Sequence, residues 1–112
     1  MAAMQKVSIE ALARQQLERA ASTGRNAADT VVGGHERILR QTVVGMTAGS
    51  EMSEHANPGE ATIFVLRGSV RLIAGDDQWD GRIGDLLVIP DAHHSLLALE
   101  DAAILLTVAK RP

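Results

Sequence analysis

The sequence predicts an all-β domain, a small antiparallel β-barrel preceded by one helix. Apolar residues recur at helical spacing only near the N-terminus, and short β-rich runs with a period of about two follow. Turn-forming pairs separate these runs at the close spacing of antiparallel connections. The 112 residues suffice for one domain with its own core. We therefore expect a helix and linker over residues 1–24 and a barrel over residues 25–112.

The first predicted element is an amphipathic helix between Val7 and Ala21. Apolar side chains recur there at three- and four-residue steps, and Ser8 can cap the N-terminus. The residues that follow Ala21 are turn formers and include Gly24. We therefore expect the helix to end before Gly24.

Seven predicted strands follow, joined by short turns. Gly68 and Gly84 lie where tight turns must join two strands. The run at 86–89 is apolar at every position, which predicts a strand buried on both faces, and Pro90 ends it. The predicted strands cover residues 30–32, 38–46, 62–66, 70–74, 86–89, 94–99 and 103–108.

Composition excludes several functional classes. The net charge is −3, the 11 Lys and Arg residues are scattered, and one Trp, one Phe and no Tyr give no stacking platform, so we expect no nucleic-acid partner. Without cysteine there is no disulfide, thiolate metal site or Cys nucleophile. The sequence shows neither a signal peptide nor an apolar run of membrane-spanning length. We therefore expect a cytoplasmic protein with no membrane partner.

Polar groups that can bind metal concentrate in two stretches. Residues 51–60 contain three Glu and His55, and residues 91–95 contain an Asp followed by His93 and His94. Imidazole and carboxylate are the usual ligands of zinc, nickel, iron and manganese, and loops beside rigid strands are where such groups converge. The spacing alone leaves two interpretations of His55 and His94 open, a metal pair or a polar lining of an empty cavity mouth.

These stretches resemble the two motifs of the cupin superfamily. The first, GSEMSEHANPGEATIFVLRG at 49–68, is similar to a motif with a glycine, His-x-His, a Glu and a closing glycine. The second, GDLLVIP at 84–90 followed by His94, is similar to a motif with a glycine, a buried strand, a proline and a histidine. The resemblance implies a small single-domain cupin, a double-stranded β-helix of the RmlC-like jelly-roll type, with a degenerate metal-binding motif.

The resemblance also implies a set of metal ligands. Cupins typically offer three His and one Glu, and here only His55 and His94 match, while Asn57 replaces the second His of the first motif. Ala61 occupies the usual Glu position, so Glu60 could become a ligand only if a one-residue shift turned it inward. The predicted ligands of a divalent metal are therefore His55, His94, Glu60 and Asn57.

Side chains alternate along a strand, so His93 and His94 should face opposite ways, and we expect His94 to face inward. His35 follows two glycines at a predicted turn and is expected on the surface.

Two functions follow from the resemblance. One is a protein that binds a small molecule, with a divalent metal in the barrel; oxygenase, isomerase and lyase chemistry would all be open to it. The alternative is a non-catalytic ligand-binding or stress-related barrel that has lost its metal. Open sheet edges and an apolar helix face that needs covering predict a homodimer.

Overall fold

The computed structural model describes residues 4–55 and 59–110. Within these ranges the chain forms one helix and nine strands. Their bounds are α1 (Ile9–Thr23), β1 (Ala27–Val32), β2 (Leu39–Met46), β3 (Glu51–His55), β4 (Gly59–Arg67), β5 (Ser69–Ala74), β6 (Asp77–Arg82), β7 (Leu86–Val88), β8 (His94–Ala98) and β9 (Ala102–Lys110).

The strands form two antiparallel sheets. The five-stranded sheet has the order β1-β2-β9-β4-β7, and the four-stranded sheet has the order β3-β8-β5-β6. Alternate side chains of both sheets meet in one apolar core, which includes Met46, Val65, Leu96 and Ile104. The predicted all-β class with one N-terminal helix is confirmed.

Helix α1 covers part of the outer face of the five-stranded sheet. Ser8 caps it, since the Ser8 hydroxyl accepts a hydrogen bond from the Ala11 amide at 3.2 Å, and Gly24 ends it with a φ of 69°. The side chains that face the sheet are fully buried: Ala13, Gln16 and Ala20. The apolar helix face is therefore covered within the chain, and this part of the argument for a dimer does not hold.

Strands β3 and β6 were not predicted. Both lie at edges of the four-stranded sheet. In β6, five of the six residues are exposed, so no apolar alternation marks the strand, and its Asp80-Gly81 pair resembles a turn. Edge strands with polar side chains therefore escape a search for apolar periodicity.

The strand predicted at 86–89 forms as β7, but the prediction that it is buried on both faces was wrong. Among the described strands it pairs with β4 alone and lies at the edge of the five-stranded sheet. Leu87 packs against the core, whereas Leu86 is 58% exposed and Val88 is 71% exposed. In the sequence, an apolar run in an edge strand therefore cannot be distinguished from one in a central strand. No helix in the described ranges is long and apolar enough to cross a membrane.

Candidate functional site at one end of the barrel

The imidazole of His94 lies in the barrel interior at the first position of β8. It is 4% exposed, and Leu96 and Ala98, which follow it on the same face, are also buried. His93 precedes it and is exposed. The expectation that His94 rather than His93 faces inward is therefore met.

A β-bulge fixes which residue of β3 lies opposite His94. Met52 pairs with Leu96, and the next recorded pair is His55 with His94. Two residues of β3 therefore stand opposite Ser95 alone, and without this extra residue position 54 would face His94. Opposed positions in an antiparallel pair share a face, with Cβ atoms about 4.5–5.5 Å apart. The backbone thus places His55 and His94, one from each motif, opposite each other on neighbouring strands.

A backbone carbonyl holds the His94 ring. Nδ1 lies 3.0 Å from the carbonyl oxygen of Ala92, two residues earlier. A carbonyl only accepts, so Nδ1 carries the proton in this bond, and the neutral ring then has its lone pair on Nε2. Histidines that bind a metal usually donate their other ring N–H to such a group. The Ala92 carbonyl therefore fixes both the tautomer and the orientation of His94.

The structure separates Glu60 from the inner face. Glu60 is exposed on β4, and Ala61 is 7% exposed and belongs to the core. The pairing of β4 with β9 runs without a shift from Gly59 to Val65. The one-residue shift that would turn Glu60 inward is absent from this strand, so the carboxylate lies on the outer side.

The other predicted ligands have different outcomes. Asn57 and the side chain of His55 lie outside the described residues. Among residues whose side chains are described, no three His, Asp or Glu come together as a metal cluster. His35 is exposed, as expected. The described part of the site thus contains one oriented imidazole, and the backbone position of His55 opposite it.

A cleft of about 640 Å³ opens at the same end of the barrel, where β4 begins and β7 ends. Its polar lining includes Glu60, Asp91 and Lys110, and its apolar lining includes Ala61 and Ile89. Lys110 donates a hydrogen bond from Nζ to the Gly34 carbonyl at 3.1 Å. Sequence reasoning missed Lys110, because it lies at the end of β9, far along the chain from both motifs, and only the β4–β9 pairing brings it to the cleft.

Comparison with known proteins shows the fold. No protein-family model matches the chain, and no curated protein matches it in sequence. Solved structures do match. A conserved protein of unknown function from Streptococcus pyogenes gives a TM-score of 0.75 at 20% identity, covering 100% of this chain and 92% of that one.

Two further matches are cupins by description. A cupin superfamily protein from Desulfitobacterium hafniense gives a TM-score of 0.71 at 16% identity, covering 78% of this chain and 79% of that one. An RmlC-like cupin from Desulfovibrio desulfuricans gives 0.68 at 26% identity, covering 78% of this chain and 84% of that one.

Proposed function

Because the chain has the cupin fold, we propose that it binds a small molecule at this end of its barrel through one divalent metal ion held by His55 and His94. The observation that carries the proposal is the position of His94, which is buried, held by the Ala92 carbonyl and in register with His55. A buried imidazole with its tautomer fixed is suited to metal binding.

Two imidazoles would leave several coordination positions to water and to the ligand. Asn57 follows His55 closely in the chain, and its amide oxygen is our third proposed ligand. Ala61 supplies a methyl group where a carboxylate would add negative charge, so we expect weaker binding than in a full set of three His and one Glu. Zinc, nickel, iron and manganese all accept this donor set. When bound, such an ion polarises an oxygen atom of its ligand.

The cleft at this end of the barrel supports a small-molecule ligand, although His94 itself is not part of its lining. Its volume of about 640 Å³ lies within the roughly 300–1,000 Å³ that is usual for such sites. It has carboxylates at Glu60 and Asp91 and an ammonium at Lys110. We propose that a small polar molecule occupies it, with one end toward the metal. The residues do not select among oxygenase, isomerase and lyase chemistry.

The outward position of Glu60 favours a second function, a non-catalytic ligand-binding barrel without metal. In that case His94 is a buried polar group of an interior in which the methyl of Ala61, rather than a carboxylate, is also buried. The ligand would then bind through the apolar lining and through hydrogen bonds alone.

Titration calorimetry with zinc, nickel and manganese on untagged protein separates the two functions. We expect a saturable one-to-one site, and at least about a tenfold loss of affinity in His55→Ala and in His94→Ala, since a lost metal ligand costs no less than a lost hydrogen-bond partner of a ligand. His93→Ala is the matched control and should bind like the parent. Because His94 is buried, circular dichroism must show that its variant is folded. A parent without a saturable site, or one indifferent to both substitutions, would leave the metal-free barrel as the function.

A further inference from the structure

We propose that the chain forms a symmetric dimer in which the β7 edge of one copy pairs with the β7 edge of a second copy. The contact is made by what we call the β7 edge surface, which consists of Phe64, Trp79, Ile83, Leu86 and Val88. The inference does not depend on metal binding, since none of these residues belongs to the proposed ligand set.

The β7 edge surface is apolar and open. Trp79 and Val88 are each 71% exposed, Ile83 is 64%, Leu86 is 58% and Phe64 is 37%. Phe64 and Leu86 are cross-strand partners, and Trp79 and Val88 line the same two grooves. Ile83 lies in the turn between β6 and β7, so all five residues lie along this edge. Together they expose on the order of 500 Å² of apolar area. A standard interface buries about 800 Å² per partner, and about 65% of a homodimer interface is apolar, which is roughly 520 Å² of apolar area per partner. The apolar area of the patch is therefore close to what a stable dimer buries.

Charge distinguishes this edge from the others. Soluble proteins protect sheet edges with charged side chains or by covering them. Strand β1 carries Asp29 and lies beside α1, β3 carries Glu51, and β6 carries Asp77 and Asp80. Strand β7 has only Leu86, Leu87 and Val88. Of the four edges in the described residues, β7 alone has no charge, so it is the edge suited to pairing.

The acid next to β7 does not protect it either. A carboxylate oxygen of Asp85 accepts a hydrogen bond from the Arg82 amide at 2.9 Å, within the turn that joins β6 to β7. The charge is thus engaged in the turn, and the strand itself remains apolar.

The backbone of β7 is self-complementary. The Asp85 carbonyl accepts from the Val65 amide at 3.0 Å, and the Ile89 amide donates to the Ala61 carbonyl at 3.0 Å, so alternate residues bond toward β4. The amide and carbonyl groups of Leu86 and Val88 therefore face the open edge. If a twofold axis passes beside Leu87, Leu86 of each copy stands opposite Val88 of the other, and the two pairs form four hydrogen bonds.

A second copy fits this surface better than a foreign peptide does. An edge of three residues gives a peptide few hydrogen bonds, whereas the twofold arrangement places two apolar patches of equal size against each other. Two grooves of about 260 and 230 Å³, both lined by Trp79, can receive apolar side chains of the other copy. We therefore commit to a homodimer.

Trp79 reports directly on the proposed contact, because the chain has one Trp and no Tyr. Sedimentation equilibrium from about 0.1 to 100 μM should show a transition from 11.9 kDa to twice that mass. Over the same range the Trp emission should shift to shorter wavelength as the indole leaves water. A mass of 11.9 kDa throughout would overturn the proposal, and so would a dimer whose formation leaves the emission unchanged.

Charge substitutions test the location. Leu86→Lys and Val88→Lys should each raise the dimer dissociation constant about tenfold or more, since each places two ammonium groups in the apolar contact. Leu39→Lys is the matched control, since Leu39 is 43% exposed on the same sheet but lies three strands, about 14 Å, from β7. It should dimerise like the parent. Both test positions are exposed, and circular dichroism checks that the fold is kept. Equal weakening by all three substitutions, or by none, would refute the β7 contact.

Discussion

Replacing Gly45 with alanine should detach helix α1 from the five-stranded sheet. A Cβ atom at this position would lie 2.3 Å from the carbonyl oxygen of Gln16, 2.4 Å from its carbonyl carbon and 2.8 Å from the Leu17 amide nitrogen. All three are helix backbone atoms, so no side-chain rotation relieves the overlap. The helix must retreat by about 1.1 Å to reach the 3.4 Å at which ordinary contact begins.

A gap of this width weakens the whole contact between helix and sheet. Radial gaps of about 0.5–1 Å already lose a quarter to a half of the dispersion energy of the atoms they separate. Ala13 and Ala20 are fully buried in this contact. We therefore expect Gly45→Ala to lower the free energy of unfolding by about 3 kcal/mol, at the upper end of the usual range for overpacking.

Urea denaturation measures this effect as a lower midpoint with an unchanged slope. Gly33→Ala is the control, because the atoms nearest to its Cβ would be side-chain atoms of Thr30 and Arg40, at 3.1 Å or more, and its φ is not positive. It should stay within about 0.5 kcal/mol of the parent. If Gly45→Ala is as stable as Gly33→Ala, α1 does not pack against β2 at Gly45 as closely as described.

Two further substitutions test buried and exposed polar groups. Gln16 is fully buried; its Oε1 accepts a hydrogen bond from Arg19 at 3.0 Å, but its Nε2 has no hydrogen-bond partner among the described residues. Gln16→Met removes the unsatisfied donor, and the exposed Arg19 can bond to water instead, so the variant should be more stable than the parent in thermal melts by about 1 kcal/mol. A less stable variant would contradict this reasoning. The Arg71 guanidinium, which donates to Asp80 at 2.7 and 3.1 Å, lowers the pKa of that carboxyl from its ordinary 3.8. A lowered pKa stabilises the fold above the ordinary value, and the effect is lost as pH falls through the folded value. Asp80→Asn should therefore be less stable than the parent in melts at neutral pH, with the difference vanishing in acid, and a difference that persists in acid would contradict the assignment to this pair.

Helix caps and alternating burial in the sequence predicted the fold correctly where the local residue pattern decides the structure. Ser8 and Gly24 bound the helix, as their capping chemistry predicts, although the helix ends two residues later than the apolar pattern. Strands with one buried face were predicted to within a few residues. The errors lie at the sheet edges, where the sequence shows polar runs in β3 and β6 and an apolar run in β7. Pairing partners, rather than local pattern, decide those three strands.

The site was predictable only where alternation applies. That rule placed His94 inside and His93 outside, as the structure has them. The position of His55 depends on a bulge, which no residue type in the stretch signals. Lys110 comes to the cleft through the pairing of distant strands.

Long-range proton–nitrogen correlation spectra of the four histidine side chains, recorded during a zinc titration, test the proposed site most directly. Before zinc is added, His94 should show the tautomer with its proton on Nδ1, as the bond to the Ala92 carbonyl requires. On addition of zinc, only His55 and His94 should shift, both saturating at one equivalent, and His94 should keep its Nδ1 proton while Nε2 binds the metal. Unchanged spectra of His55 and His94, or shifts confined to His35 and His93, would contradict the proposal.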